Sequence, residues 1–414
     1  MLNLRGDGAS PFAQRSFRLL FAASSVSLAG SAVAPVALAF GMLQATGSAT
    51  DLGIVLTARE AVQLVLLLFG GVISDRVSRH RVLAWSNSVS AVAQGVTGAL
   101  FLTHHAVVWD ISILAALNGA ATAFLFPAFN GAVPSTVAAE SLRQANTYLG
   151  ISESAVTVIG SAVGGALVAV VGPGLGIEID AASFVVAAVL VALMRLPAVV
   201  RDQARSTLQD LRQGWTAFWS RSWLWSIVLQ FSIVNMAFVG AIDVLVPIDA
   251  RRFLGGPAAY GALFAAVGVG AVAGGLVMLR VAPRRPLLTA TICTGLGMPP
   301  VFLLLAMGSP LWALLFAGCV AGAGFQVFGV LWTTTMQEQI PSNMLSRVSS
   351  YDAVGSFVFM PIGLALAGPL EVLIGLHAAF WVALALITVP SVLVLLVPSV
   401  RRLQRHAGVS SPVP

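Results

Sequence analysis

A chain of 414 residues that is 58% hydrophobic and only 9% charged is not composed like a soluble domain, in which about a quarter of the residues carry charge. The formal net charge is +6, and all 22 basic residues are arginine; there is no lysine. That excludes a Gly-x-x-x-x-Gly-Lys phosphate loop, hence an ATP site of that kind, and it excludes lysine Schiff-base chemistry. The arginines are spread over connections and not gathered on one face, which argues against nucleic acid as a partner.

The charges cluster and leave long apolar gaps. Residues 19–50, 82–109, 111–139 and 286–337 contain no Asp, Glu or Arg. A bilayer crossing needs about 20 apolar residues, so the last gap holds two crossings, with Gly308-Ser309-Pro310 as the turn. Twelve crossings are expected, at 19–44, 50–73, 82–102, 109–130, 146–171, 176–196, 223–248, 257–280, 286–307, 310–334, 347–369 and 373–397. Arg5, Arg15 and Arg18 precede the first, and no small-residue cleavage pattern closes it. It reads as an uncleaved membrane helix.

In chain order, the second crossing carries Arg59 and Glu60, neighbours whose side chains diverge on a helix instead of pairing. It runs into Gly70-Gly71-Val72-Ile73-Ser74-Asp75-Arg76-Val77-Ser78-Arg79-His80-Arg81, where one acid and three arginines fill a tight polar turn before the third crossing. The fifth crossing has Glu153 in its inner part and then Gly160-Ser161-Ala162-Val163-Gly164-Gly165, a small face on which helix backbones can approach closely. Glu178 and Asp180 sit at the outer end of the sixth, where hydration is expected. Residues 197–222 interleave Arg201, Asp202, Arg205, Asp210, Arg212 and Arg221 with Trp215, Phe218 and Trp219, the pattern of an amphipathic segment on the inner membrane face. Asp243 lies in the outer third of the seventh crossing and Asp352 near the inner end of the eleventh. Gly270-x-x-x-Gly274 and Gly318-x-x-x-Gly322 give the eighth and tenth crossings small faces of their own.

Charge inside a bilayer costs roughly 2.5–3.5 kcal/mol, so such groups face a cavity or a partner. An acid in a poorly hydrated cavity holds its proton more readily and can load and release it. Arg59, Glu60, Glu153, Asp243 and Asp352 are therefore the candidates for proton coupling or substrate binding; Arg59 has the alternative role of keeping an acid ionised. Met42, Phe126, Phe129, Trp332, Phe357 and Phe359 are candidate lining residues of a largely apolar cavity, with Gln63, Asn235 and Gln326 as sparse polar handles. His104, His105 and His377 read as solvated, and Cys293 and Cys319 as packing residues. No cluster has metal-ligand spacing, and no cofactor is expected.

Nineteen arginines fall at the two termini or in the connections on one side; Arg251 and Arg252 fall on the other, and Arg59 within a crossing. The positive-inside rule then places both termini in the cytoplasm, with the chain in the bacterial inner membrane and its basic connections against lipid heads. The halves look duplicated. Gly70-Gly71, Arg76 and Arg81 recur 204 residues later as Gly274-Gly275, Arg280 and Arg285, with Leu279 in the place of Asp75. Gly47 and Gly53 match Gly255 and Gly261, and Arg143 matches Arg347. The expected organisation is a six-helix bundle over 1–196, an amphipathic linker over 197–222, a second bundle over 223–400 and a tail over 401–414.

The pattern Gly-x-x-x-Asp-Arg-x-x-Arg-x-Arg at residues 71–81 resembles the loop signature of the major facilitator superfamily of secondary transporters. Gly160-Ser161-x-x-Gly164-Gly165 resembles the helix-five signature of that family's drug exporters, with Ser161 where the signature has proline. Gly172-Pro173, Val246-Pro247, Tyr260-Gly261 and Ser346-Arg347-Val348 resemble its enterobactin-exporter and macrolide-efflux branch. The resemblance implies an all-α membrane fold of twelve transmembrane helices in two pseudo-symmetric six-helix bundles around a midplane site. It implies that Gly71, Asp75, Arg76, Arg79 and Arg81 form a cytoplasmic gate, Asp75 meeting the N-terminus of helix eleven near Arg347–Tyr351. It implies that Gly160, Ser161, Gly164 and Gly165 form a packing face that slides on helix eight. The expected function is proton-coupled export of small hydrophobic or amphiphilic molecules by a monomer, such as antibiotics, secondary metabolites or siderophores. Proton-coupled uptake by symport remains open, as does a non-transporting sensor or scaffold; a membrane enzyme is disfavoured for want of a converging polar cluster.

Overall fold

In a computed structural model, residues 10–74, 78–138, 141–194 and 215–404 are described. They contain helices and no strand, and each of the twelve expected crossings falls on helix. We number these α1 (Arg15–Ala45), α2 (Ala49–Ser74), α3 (Arg79–Leu102), α4 (Val108–Ala132), α5 (142–171), α6 (Pro173–Ala192), α7 (Ser222–Leu254), α8 (Pro257–Met278), α9 (Pro286–Ala306), α10 (Leu311–Gln339), α11 (342–374) and α12 (Leu376–Val394). Nine spans among the described residues are long and apolar enough to cross a membrane by length and composition alone. The others are α2, α3 and α5, of which α2 carries Asp51, Arg59 and Glu60, α3 a row of Ser, Asn and Gln, and α5 the polar run Leu142–Ala155.

Several crossings are not straight, and proline accounts for most of the breaks. In α1 the helix Arg15–Ser31 gives way to Ala34–Ala45 at Pro35, whose missing N–H cannot continue the ladder. Pro299 and Pro361 divide α9 and α11 in the same way. Two π-helical turns, Ala241–Leu245 and Ala250–Leu254, bracket Pro247 in α7. In α5 a π turn spans Val156–Gly160 with no proline near it, directly before Ser161. π turns are rare and concentrate at functional sites.

Contacts divide the chain into two compact units. The first comprises Met1–Gln203, Ile242–Ala265 and Leu364–Pro369; the second comprises Ala204–Ala241, Ala266–Gly363 and Leu370–Pro414. The units therefore cross the chain's midpoint, because the far end of α7, the start of α8 and a turn of α11 pack with the first-half helices. The first unit has an apolar core around Leu20, Leu83, Ala128, Ala187 and Val191, and the second one around Leu224, Ile227, Phe231, Phe328 and Leu331.

The duplication is visible in backbone contacts. A Cβ at Gly119 of α4 would collide with the Arg59 carbonyl of α2, and one at Gly322 of α10 with the Val267 carbonyl of α8. Gly53 of α2 lies against the Leu364 carbonyl of α11 at 2.5 Å from the position of a Cβ; Gly261 of α8 lies against Gly165 of α5 at 2.7 Å by the same measure. Gly172 and Gly375, the N-caps of α6 and α12, take φ of 83° and 87°, a left-handed region that favours glycine. The two halves are pseudo-equivalent, and Arg59 stands where the second half has Val267.

Candidate functional site

A cavity of about 390 Å³ lies within the first unit. It is walled by α1–α4 and α6, with Asp243 of α7, Tyr260 and Phe264 of α8 and Leu364 of α11. Its apolar surface comes from Leu28, Leu38, Leu56, Ile111, Leu125 and Phe184, and its polar surface from Ser27, Ser31, Ser90, Gln94, Thr97, Asn118 and Thr122. Arg59, Glu60, Asp180 and Asp243 also line it. The wall is apolar over most of its area, as expected, but its polar groups are not the expected handles Gln63, Asn235 and Gln326. The reason is that α3 turns its Ser90–Gln94–Thr97 row inward, where the sequence alone does not specify facing.

Asp180 is the member that sequence reasoning missed. It is buried, at 1% exposure, and not at an open helix end. Its Oδ1 accepts from Ser31 Oγ at 3.1 Å and its Oδ2 from Gln94 Nε2 at 2.6 Å. The cause is the helix start. α6 begins at Pro173, after the turn at Gly172, so Asp180 lies two turns in, about 10 Å from the end. The Gly172-Pro173 pair is the signal that could have found it, since proline favours the first helical position. Gly30 completes the arrangement: a Cβ there would meet Asp180 Oδ1 at 3.1 Å, so its absence lets α1 close on α6 and bring Ser31 to the carboxylate.

Arg59 is the positive centre of the cluster. Its Nη1 lies 4.0 Å from Glu60 Oε1; the neighbours approach one another after all, but too far apart for a hydrogen bond. Arg59 is also within Coulombic range of both Asp180 and Asp243, and Glu60 within range of Asp243. Tyr260 is 1% exposed, donates to the Ile242 carbonyl at 3.3 Å and packs edge-on against Phe40 of α1. Arg251, one of the two arginines that break the positive-inside pattern, donates from Nη1 to the Leu43 carbonyl at the end of α1.

The other candidates have surroundings of their own. Glu153 lines a second cavity of about 260 Å³ with Leu20, Leu83, Phe129, Leu149 and Val191. This cavity adjoins the first, sharing Ser27, Leu28, Thr122 and Leu125 with it. Asp352 belongs to the second unit, where Trp332 Nε1 donates to Oδ2 at 3.1 Å, joining α10 to α11, and Ser356 Oγ, one turn on in α11, donates to Oδ1 at 3.4 Å. Of the lining candidates, Phe129 meets a cavity, whereas Met42 is 0% exposed in the core and Trp332 packs on Phe328 and Trp223. The side chain of Phe126 is not among those described.

Of the gate residues, Asp75 and Arg76 lie outside the described residues, as do 197–214 of the linker; Gly71 is in the last turns of α2. Arg79 opens α3, and its Nη1 donates to the Gly131 carbonyl at 2.6 Å and to Ser135 Oγ at 3.2 Å. It thus caps one C-terminal carbonyl of α4, where a cation is favoured. Arg81 is exposed. The helix of α11 starts at Ser342, so Arg347–Tyr351 lies inside it and not at its N-terminus as expected. In α5, a Cβ at Gly160 would sit 2.7 Å from Ala32 Cβ, one at Gly164 2.9 Å from the Ala32 carbonyl oxygen, and one at Gly165 2.8 Å from the Pro257 carbonyl oxygen. The Ser161 carbonyl lies 2.6 Å from where a Cβ on Gly261 would be.

Residues 19–358 match the profile of the Major Facilitator Superfamily. The chain is 26% identical over 378 residues to the multidrug efflux pump Tap of Mycolicibacterium fortuitum, covering 87% of this chain and 90% of that protein. It is 26% identical over 400 residues to macrolide efflux protein A of Streptococcus pyogenes, covering 94% and 97%. It is 27% identical over 412 residues to the enterobactin exporter EntS of Citrobacter koseri, covering 96% of each. Among solved structures, a bacterial homologue of the lysosomal transporter Spinster superposes with a TM-score of 0.73 at 14% identity, over 95% of this chain and 98% of that one; this likeness concerns the fold alone.

Proposed function

The chain belongs to the Major Facilitator Superfamily, and from that premise we propose that it is a proton-coupled exporter of small amphiphilic organic molecules that works by alternating access. That it is a multi-pass membrane transporter of small molecules, and not an enzyme, follows from the family and the efflux relatives. Those relatives also support the outward direction of transport.

The observation that carries the proton coupling is the grouping of Arg59, Glu60, Asp180 and Asp243 on one cavity wall. Three acids around one arginine carry a surplus of negative charge where water is scarce. Taking up a proton relieves it, and releasing the proton restores it. One proton moving down 100 mV supplies about 2.3 kcal/mol, enough for roughly 50-fold accumulation of a neutral solute. The sparse polar groups among apolar walls suit molecules with both characters.

Alternating access needs a closure at each end. At the cytoplasmic end we assign it to the Gly71–Arg81 turn, with Asp75 and Arg76 at the gate, Arg81 facing lipid heads and Arg79 fixing the turn to α4. At the opposite end we assign it to the outer halves of α7 and α8, held on α1 by Arg251 and Tyr260 and on α5 by the Gly165–Gly261 contact. The test uses everted vesicles with a fluorescent amphiphilic dye. Acidifying the lumen should drive dye accumulation, a protonophore should abolish it, and ATP should be unnecessary. Asp243→Asn should keep dye exchange but lose its dependence on the pH gradient. Dye loss on acidification would mean symport instead.

A further inference from the structure

The two cavities of the first unit differ in chemistry yet share a wall. The larger is ringed by charged and amide groups; the smaller is lined chiefly by Leu20, Leu83, Phe129, Leu149, Ala187 and Val191. Ser27, Leu28, Thr122 and Leu125 belong to both, so a ligand in one lies against side chains that also line the other. We propose that the smaller cavity is a tail subsite, and that the substrates are head-and-tail amphiphiles. The polar head sits by Asn118 and Arg59, and an alkyl or flat hydrocarbon tail lies along Phe129 and Leu149 toward the end of the bundle where Glu153 lies. This rests on the larger cavity being the substrate site, and it narrows the substrate class.

The head end has a matching hydrogen-bond demand. Asn118 is 5% exposed, and its Nδ2 finds no acceptor among the described residues; nor does Arg59 Nε. The two belong to adjoining parts of the wall, because Gly119 packs directly on the Arg59 carbonyl. Three other polar groups there are satisfied within the protein. Asp180 accepts from Ser31 and Gln94, while Thr97 and Thr122 bond the Ala93 and Asn118 carbonyls at 2.8 and 2.9 Å. The head therefore presents an acceptor oxygen to two donors. The tail end is chiefly apolar, with Asn87, whose Oδ1 finds no donor among the described residues, and Glu153 also on its lining; along the apolar part each buried methylene is worth about 0.8 kcal/mol, or roughly fourfold in affinity.

The experiment titrates the purified full chain in detergent with dansylamides bearing N-ethyl, butyl, hexyl or octyl chains, read by dansyl fluorescence. In the wild type, Kd should fall by roughly fourfold per methylene until the tail cavity is full. Leu149→Trp, which fills that cavity from α5, should flatten this dependence, and Ser24→Phe should do the same from α1. Asn118→Leu should weaken every member by a common factor of about fivefold and leave the chain-length slope intact. A wild-type Kd independent of chain length would overturn the proposal. So would an unaltered slope in both filled variants, or a slope lost in Asn118→Leu. If the series binds as expected but is not moved across vesicles, the tail subsite stands and the exporter reading falls.

Discussion

At the scale of single residues, Asp180 and Arg79 show how position converts a charge from a loop feature into a structural one. Asp180 holds Ser31 and Gln94 by two bonds in a place with little water. Bonds to a charged group are worth about 1.5–3 kcal/mol, and stranding the donors costs more than replacing the acceptor. Asp180→Leu is therefore expected to lower the unfolding temperature in detergent clearly further than Asp180→Asn, which keeps a carbonyl oxygen in place; equal losses would deny the carboxylate its bridging role. Arg79→Ala removes both bonds to the end of α4 and should reduce transport severalfold. Arg79→Lys should restore part of it, since a lysine reaches one acceptor but cannot fork between two.

At the scale of helices, glycine positions decide where backbones meet. Gly165 and Gly261 face each other so closely that a side chain on either would overlap backbone. Gly150, on the same α5, would place a Cβ in open space. Gly165→Leu is thus expected to cut vesicle transport more than about tenfold with the protein still inserted, whereas Gly150→Leu should change it by no more than about twofold. Similar losses from both would reduce the α5–α8 contact to general packing. Apolar runs between charges locate these helices but not their breaks. Pro35, Pro299 and Pro361 announce theirs, because a missing N–H is visible in the sequence. The π turn before Ser161 is announced by nothing local, since it depends on what α5 packs against.

At the scale of the whole molecule, Arg251 accounts for a departure from the positive-inside rule. Its guanidinium bonds the Leu43 carbonyl, so its position follows from a contact and not from topology. If that bond holds the outer side of the cavity shut, Arg251→Gln should expose the cavity from outside. The check is labelling of Thr97→Cys, a buried wall position, with a membrane-impermeant maleimide, in a background where Cys293 and Cys319 are serine. Labelling should rise severalfold in Arg251→Gln and stay near the parental rate in Arg251→Lys; no rise in either would end the latch assignment.

Composition and the gaps between charges were sufficient for an integral membrane protein and for where its helices lie, because a bilayer makes each helix satisfy its own backbone and so leaves its mark in local hydropathy; the family resemblance rested on the motifs at residues 71–81 and 160–165. Arg59, Glu60 and Asp243 were legible as charges out of place in apolar runs. What only the tertiary structure decided was company: that Asp180 joins them, that Asp352 bonds Trp332, that Ser90, Gln94 and Thr97 face inward, and that Gly119 rests on the carbonyl of Arg59. Facing and partnership depend on helix rotation and on contacts between residues far apart in the chain. Neither leaves a local trace in a helix that is apolar on nearly every side.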